Sequence, residues 1–194
     1  MRPWLILPLA ALVTACAGPA RRAAPERAPD FRPVEVRQPA VVLRVTLAAG
    51  RFSDQEREML PATYEGALLA GLDARAVLPR DVQHGALDSS AALARARVVG
   101  ADHAILVDLE VTRGEPTFCR EGRRPFRASA TTWTQTVTVL RASDGATRLA
   151  LAGPALAVTD LDADCDDPGQ SHRRSGAETA TEAVTRLLAR LLDS

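Results

Sequence analysis

Apolar and polar positions along the chain follow two periods, one of two residues and one near four, and the switches between them divide it into elements. Val41–Leu47 is a β-branched run between Pro39 and Gly50, which predicts a buried first strand. Ser53-Asp54-Gln55-Glu56 then has capping-box spacing, and the stripe Leu60, Tyr64, Ala67, Leu68, Leu72 predicts a helix. Pro61 inside that stripe predicts a kink or a split into two short helices. A short strand is expected over Ala74–Leu78, then a loop from Asp81 to Gly85. Asp88-Ser89-Ser90 caps a second helix, Ala91 to Val99, with Gly100 as its stop.

From His103 to Thr112, Ile105, Val107, Leu109 and Val111 alternate with Leu106, Asp108, Glu110 and Thr112, so one strand face is buried and the other turns polar. A second long strand is expected from Phe126 to Arg141 and a third from Thr147 to about Val158, joined by a tight turn at Ser143-Asp144-Gly145-Ala146. Ser175-Gly176-Ala177-Glu178 repeats the capping box, and Ala180, Ala183, Val184, Leu187, Leu188 and Leu191 form the stripe of a last helix. This order predicts one α/β (or α+β) domain over residues 41–194: a mixed sheet with an antiparallel meander, two to three helices packed on it, and a carboxyl-terminal helix.

Upstream the pattern changes. Met1-Arg2 is followed by the apolar run Trp4–Leu12, about ten residues, against the roughly 20 needed to cross a hydrocarbon core. Residues 1–15 therefore read as a secretory signal. Val13-Thr14-Ala15-Cys16 resembles the lipobox of bacterial lipoproteins, which implies Cys16 as the mature, lipidated first residue; an ordinary cleavage site with a chance cysteine is the competing reading. By the sorting rule of such families, Ala17 in place of Asp favours the outer membrane, with the body facing the periplasm. Residues 16–40 carry five prolines and read as a tether with a reach of about 75 Å. The alternative is an edge strand at Phe31–Val36, where Pro33 is tolerable.

Composition narrows the chemistry. The chain is 46% hydrophobic and 25% charged, which fits a globular domain with tails and excludes fibrous or wholly disordered readings. Its 24 basic residues, all arginine, balance 24 acidic ones, so the general attraction that drives nucleic-acid binding is missing. With no lysine, Schiff-base and amine-nucleophile chemistry is excluded. No phosphate loop or nucleophile elbow is present, so neither a catalytic residue nor a cofactor is expected. The run Asp160, Asp162, Asp164, Asp166, Asp167 fails as a calcium loop, because Cys165 and Ser171 stand where Gly and Glu are required. His84, His103 and His172 lack zinc spacing, and no metal is expected.

An exported pair, Cys119 and Cys165, is most simply a disulfide. That bond would bring the basic loop Arg120, Arg123, Arg124, Arg127 beside the acidic run, as solvated loops or as a recognition surface. Thr132, Thr134, Thr136 and Thr138 share a face opposite Trp133, Val137 and Val139, either as plain solvent-exposed sheet or as a partner-facing platform.

The segment Ala91–Thr112, in which Gly100-Ala101-Asp102 runs from a helix into an apolar strand, resembles a family of bacterial lipoprotein and periplasmic domains. That family includes the amino-terminal domain of the Tol-system propeller protein, the curli-export lipoprotein and a penicillin-binding-protein activator. The chain is also similar to the auxiliary lipoprotein subunit of lipid-trafficking ABC transporters, departing from it at the second helix, Ala91 onward. Neither resemblance implies an enzyme. Both imply a membrane-anchored body that binds another envelope component, and the second implies an apolar cavity for lipid; self-association into a homo-oligomer is a further expectation.

Overall fold

A computed structural model describes residues 26–48, 52–119 and 124–193; Cys16, Arg120 and Arg123 lie outside the described residues. The strands are β1 (Glu26–Arg27), β2 (Ala40–Leu47), β3 (Asp81–His84), β4 (His103–Gly114), β5 (Thr117–Phe118), β6 (Phe126–Arg127), β7 (Ala130–Arg141), β8 (Thr147–Leu151), β9 (Ala157–Thr159), β10 (Leu161–Asp162) and β11 (His172–Arg173). The helices are α1 (Asp54–Asp73), α2 (Ser89–Val98) and α3 (Gly176–Leu191). Seven strands form a mixed sheet in the order β1-β8-β7-β4-β2-β3, with β9 beside the start of β7. β2 is parallel to β3 and β4, and the other pairs are antiparallel, so the fold is the expected α/β class.

Strand alternation sends Val41, Leu43, Ile105, Val107, Leu109, Trp133, Val137 and Val139 to one face, where α1 and α3 cover them. The opposite face carries Ala40, Val42, Ala104, Leu106 and Leu140 beneath α2, whose Ala92 and Ala96 lie against them. Both capping boxes form, at Ser53 with Glu56 and at Ser175 with Glu178. Inside the main core Tyr64 Oη donates to Gln135 Oε1 at 2.5 Å, and Gln135 Nε2 donates to the carbonyls of Ala183 (2.9 Å) and Leu156 (3.2 Å). Burial pushes the Tyr64 hydroxyl pKa well up.

Four expectations change. Pro61 does not split the first helix, which runs through it for 20 residues. An interior proline costs about 3 kcal/mol, whereas burying Tyr64, Leu68 and Leu72, each 2% exposed or less, contributes roughly 1.5–3 kcal/mol apiece. Ala74–Leu78 is not a strand. It closes α1 as a Schellman turn, with Val77 N donating to Leu72 O at 3.0 Å, Ala76 N to Asp73 O at 2.9 Å, and Ala76 left-handed at φ 56°. The strand falls instead on the segment expected to be a loop, as β3. The two long meander strands are interrupted, near Pro116 opposite 128–129 and at the Pro154–Leu156 turn, because proline cannot donate to the ladder.

The fourth change lies upstream of Ala40, where the chain is a strap folded onto the domain. β1 pairs with β8, and Phe31 and Val36 are 6% and 2% exposed within the main core. Arg148 holds Asp30 at 3.0 Å. Asp102 Oδ2 accepts from the backbone N–H of Arg37 (2.8 Å) and Gln38 (2.7 Å). Burial works against the Asp102 charge, but His103 and those two N–H groups outweigh it and hold its pKa below the usual carboxylate range. The folded body thus extends back to Glu26, and the edge strand is Glu26–Arg27 rather than Phe31–Val36. Only nine residues separate Glu26 from Cys16.

Candidate docking face and cleft

The threonine face is half covered. β7 pairs with β4 so that Thr132 stands beside Thr112, Thr134 beside Glu110, Thr136 beside Asp108 and Thr138 beside Leu106. β2 adds Arg44 next to Asp108 and Thr46 next to Glu110. Helix α2 has ten residues and so spans about 15 Å, while the twelve-residue strands β4 and β7 run about 40 Å. One short helix therefore shields the Leu106–Leu140 end and leaves the remainder open. Thr132, Thr134, Thr136 and Thr138 are half-buried by their neighbours, and Thr46 is exposed. Arg44 Nε donates to Asp108 Oδ1 at 2.9 Å across this face, and Asp108 raises the Arg44 pKa.

The expected disulfide is present: Cys119 and Cys165 are bonded, with Cα atoms 5.4 Å apart. It ties the β5–β6 hairpin, whose Phe118 and Phe126 rings stack at 5.6 Å, to the loop between β10 and β11. Two members of the acidic run have partners close by in the chain. Asp160 pairs with Arg173 at 2.7 Å and Asp162 with Arg174 at 3.0 Å, both arginines from the β10–β11 hairpin itself. Asp164 Oδ1 accepts from the backbone N–H of Asp166 and Asp167, which folds the run into a turn. Arg124 is exposed, and Arg127 Nε donates to the carbonyl of Glu115 at 3.2 Å. His103 is buried at the start of β4.

A cleft of about 510 Å³ that no sequence pattern signalled opens between the amino-terminal ends of α1 and α3. Its walls include Glu56, Met59, Arg113, Asp160 and Arg174, with Trp133 at its floor. Arg113 lies 4.7 Å over the Phe52 ring and donates to Glu56 Oε1 at 2.6 Å. The Ser53 N–H, 2.8 Å from Glu56 Oε2, together with that arginine holds the Glu56 pKa down at about 2. Glu56 and Arg113 are 57 positions apart, a separation at which neither residue marks the other. Chemically the cleft sets two carboxylates, Glu56 and Asp160, against two guanidiniums, Arg113 and Arg174. Among the described residues, no group of three or more His, Cys, Asp or Glu is arranged to hold a metal, and no helix is long and apolar enough to cross a membrane.

No protein-family model matches the chain, and no curated protein does. Solved structures do. PelC from Paraburkholderia phytofirmans, a dodecamer, is 16% identical over 87% of this chain and 95% of its own, with a TM-score of 0.37. The hypothetical protein CT253 from Chlamydia trachomatis is 10% identical over 80% and 95%, with a TM-score of 0.43. The lipoprotein GNA1162 from Neisseria meningitidis is 11% identical over 81% and 99%, with a TM-score of 0.35. At these identities and scores the likenesses assign neither a family nor a function.

Proposed function

We propose that the chain is an exported envelope lipoprotein, held at the outer membrane by acyl chains on Cys16, whose domain is a non-enzymatic docking module for another envelope protein. The half-open sheet carries this reading. A face that serves only packing is covered along its length, whereas here some 25 Å of strand beyond α2 presents threonines, Asp108, Glu110 and Arg44 to solvent. The auxiliary lipid-transport reading is weaker, because an acyl chain entering the cleft would strip water from Glu56, Arg113, Asp160 and Arg174. In cells, a photocrosslinking residue at Thr134 should give a discrete protein adduct, and one at the exposed Thr185 of α3 should not; labelled palmitate should mark the chain. Equal adducts at both positions, or an unlabelled chain, refute the reading.

A further inference from the structure

We propose that the partner protein adds a strand to the free half of β2 and lays a basic side chain across Thr46 to Glu110. The proposal rests on the docking reading argued above and specifies how that face is engaged. β2 runs Ala40–Leu47, but β3 pairs only with its first half, Ala40–Leu43, while β4 pairs along all eight residues. Ala48 N donates to Val111 O at 2.8 Å, on the β4 side, and Leu43 O accepts from Gly85 N at 3.2 Å, on the β3 side. Main-chain groups alternate in direction along a strand. Arg44 and Thr46 therefore bond toward β4, and Val45 and Leu47 turn their N–H and C=O groups to the other side. Past the end of β3 no described residue meets those four groups.

The gap spans four residues, about 13 Å of strand. Native sheets blunt a free edge with proline, with lysine or with a very short strand. At the opposite margin β1 has two residues and stands between Pro25 and Pro29. Arg44-Val45-Thr46-Leu47 holds neither proline nor lysine, and its one charge, Arg44, is turned across the open face to Asp108 at 2.9 Å rather than past the edge. An incoming strand here continues the line of β3 and satisfies the backbone of Val45 and Leu47, which gives affinity; its alternate side chains give specificity.

What lies beside the gap sets those side chains. On the covered side Val45 and Leu47 are half-buried at the margin of the main core, which calls for aliphatic residues at alternate positions. On the open side Thr46 is exposed, and its neighbour on β4 is Glu110. Glu110 has no ion-pair partner among the described residues. Arg44 is engaged by Asp108, Arg95 of α2 by Asp81 at 2.8 Å, and Arg97 donates to the Ala142 carbonyl at 2.7 Å. Neighbouring strands stand about 4.8 Å apart, so an added strand lies about 10 Å from β4, a span that a lysine or arginine closes against a glutamate. A second copy of this chain pairing by the same edge brings only Arg44, which its own Asp108 already holds. The partner segment is therefore extended, aliphatic on one face and basic on the other.

The test uses the full chain in cells, with a photocrosslinking residue at Thr46 or at Thr134. Both positions should give an adduct to the same protein, and the segment joined at Thr46 should hold lysine or arginine within two residues of the crosslink. Val45→Pro removes an N–H that bonds nothing in the free domain, so it should leave the urea midpoint near the parent's and weaken both adducts about tenfold. Glu110→Gln should weaken them about threefold. Residue-resolved hydrogen exchange on the purified adduct gives a reading that needs no variant: the Val45 and Leu47 amides should slow, while those of Arg44 and Thr46, already bonded to β4, should not change. Unslowed amides at Val45 and Leu47, or adducts of parental strength in folded Val45→Pro, overturn the added strand and leave docking on the threonine face intact. An adduct at Thr46 alone, with Val45 and Leu47 slowed, sustains the added strand and removes the docking across Thr134. An adduct to a second copy of this chain overturns the assigned partner, and no adduct at either position overturns both readings.

Discussion

Phe31→Ala separates a folded strap from a flexible tether. The ring is 6% exposed, belongs to the main core, and lies between the guanidiniums of Arg27 (5.4 Å) and Arg148 (6.0 Å). Removing a fully enclosed phenyl group costs about 3–5 kcal/mol. Phe31 sits at the margin of the sheet, where water can enter the vacated space and hydrate Arg148, so the expected loss falls at or somewhat below the bottom of that range, about 2–3 kcal/mol. For a domain of this size that lowers Tm by roughly 4–12 °C. Urea unfolding followed by the emission of Trp133, which is 1% exposed, should show a lower midpoint at constant slope, with the disulfide intact in both proteins. In parallel, an arginine-specific protease should cut after Arg37 far faster in the variant, because the strap opens before the sheet does. A loss below about 0.5 kcal/mol, the range of an ordinary surface substitution, would show that residues 26–37 contribute nothing to the fold and would restore the long tether.

Three further substitutions probe the packing. A Cβ at Gly71 would stand 2.7 Å from Leu188 Cδ1 and 3.0 Å from Val184 Cγ1; both side chains are fully or nearly fully buried, so Gly71→Ala should lower stability by about 1–2 kcal/mol despite alanine's better helix propensity, read from the urea midpoint. Ala76→Gly should raise stability by about 0.5–1 kcal/mol, because glycine accepts the left-handed φ of 56° without penalty; a lower Tm would refute the Schellman assignment. The Glu56 pKa in the fold, about 2, lies below its ordinary 4.5, so the stability it contributes is present above pH 4.5 and is lost as pH falls toward 2. Glu56 is 35% exposed and solvent screening keeps this contribution to about 1 kcal/mol or less; Glu56→Gln should flatten the stability–pH curve through that window, leaving stability near the parent's at about pH 2 and lowering it by that amount near neutrality.

Local signals carried most of the fold. Both capping boxes, the Asp88 cap, the Gly100 stop and the alternation through β4 and β7 depend on residues within four positions of one another, and each appears where its spacing predicts. The failures share a cause. Pro61 reads as a breaker because its cost is local, whereas the burial of Tyr64, Leu68 and Leu72 that outweighs it comes from α3 and the sheet. β3 is hidden because Asp81–His84 has no alternation and pairs only through its backbone with β2. The strap looks like a proline-rich linker, yet two apolar residues, Phe31 and Val36, suffice to dock it once Asp102 and Arg148 supply distant partners. Of the candidate site, the threonine face and the disulfide were legible, while the Glu56–Arg113 cleft joins residues too far apart in sequence to be paired by inspection.

The choice of threonine over valine bears on what the open face can accept. Val137 and Val139 fill the enclosed side of β7, and Thr132, Thr134, Thr136 and Thr138 occupy the alternate positions; the two residue types have nearly the same shape and strand propensity. The difference is the hydroxyl, which costs about 1–3 kcal/mol if buried without a partner. A partner that covers this face must therefore return hydrogen bonds to the threonines and a counter-charge to Glu110, Asp108 being already paired with Arg44, so the matching surface is polar rather than greasy. The double variant Thr134→Val/Thr136→Val should leave the urea midpoint within about 0.5 kcal/mol of the parent, since both hydroxyls face water in the free domain. It should at the same time weaken the adduct formed by a crosslinker at Thr132, because two donors and acceptors are missing from the shared surface. A midpoint lowered by more than about 1 kcal/mol would mean that the hydroxyls are bonded within the domain itself, and the face would then serve the fold and not a partner.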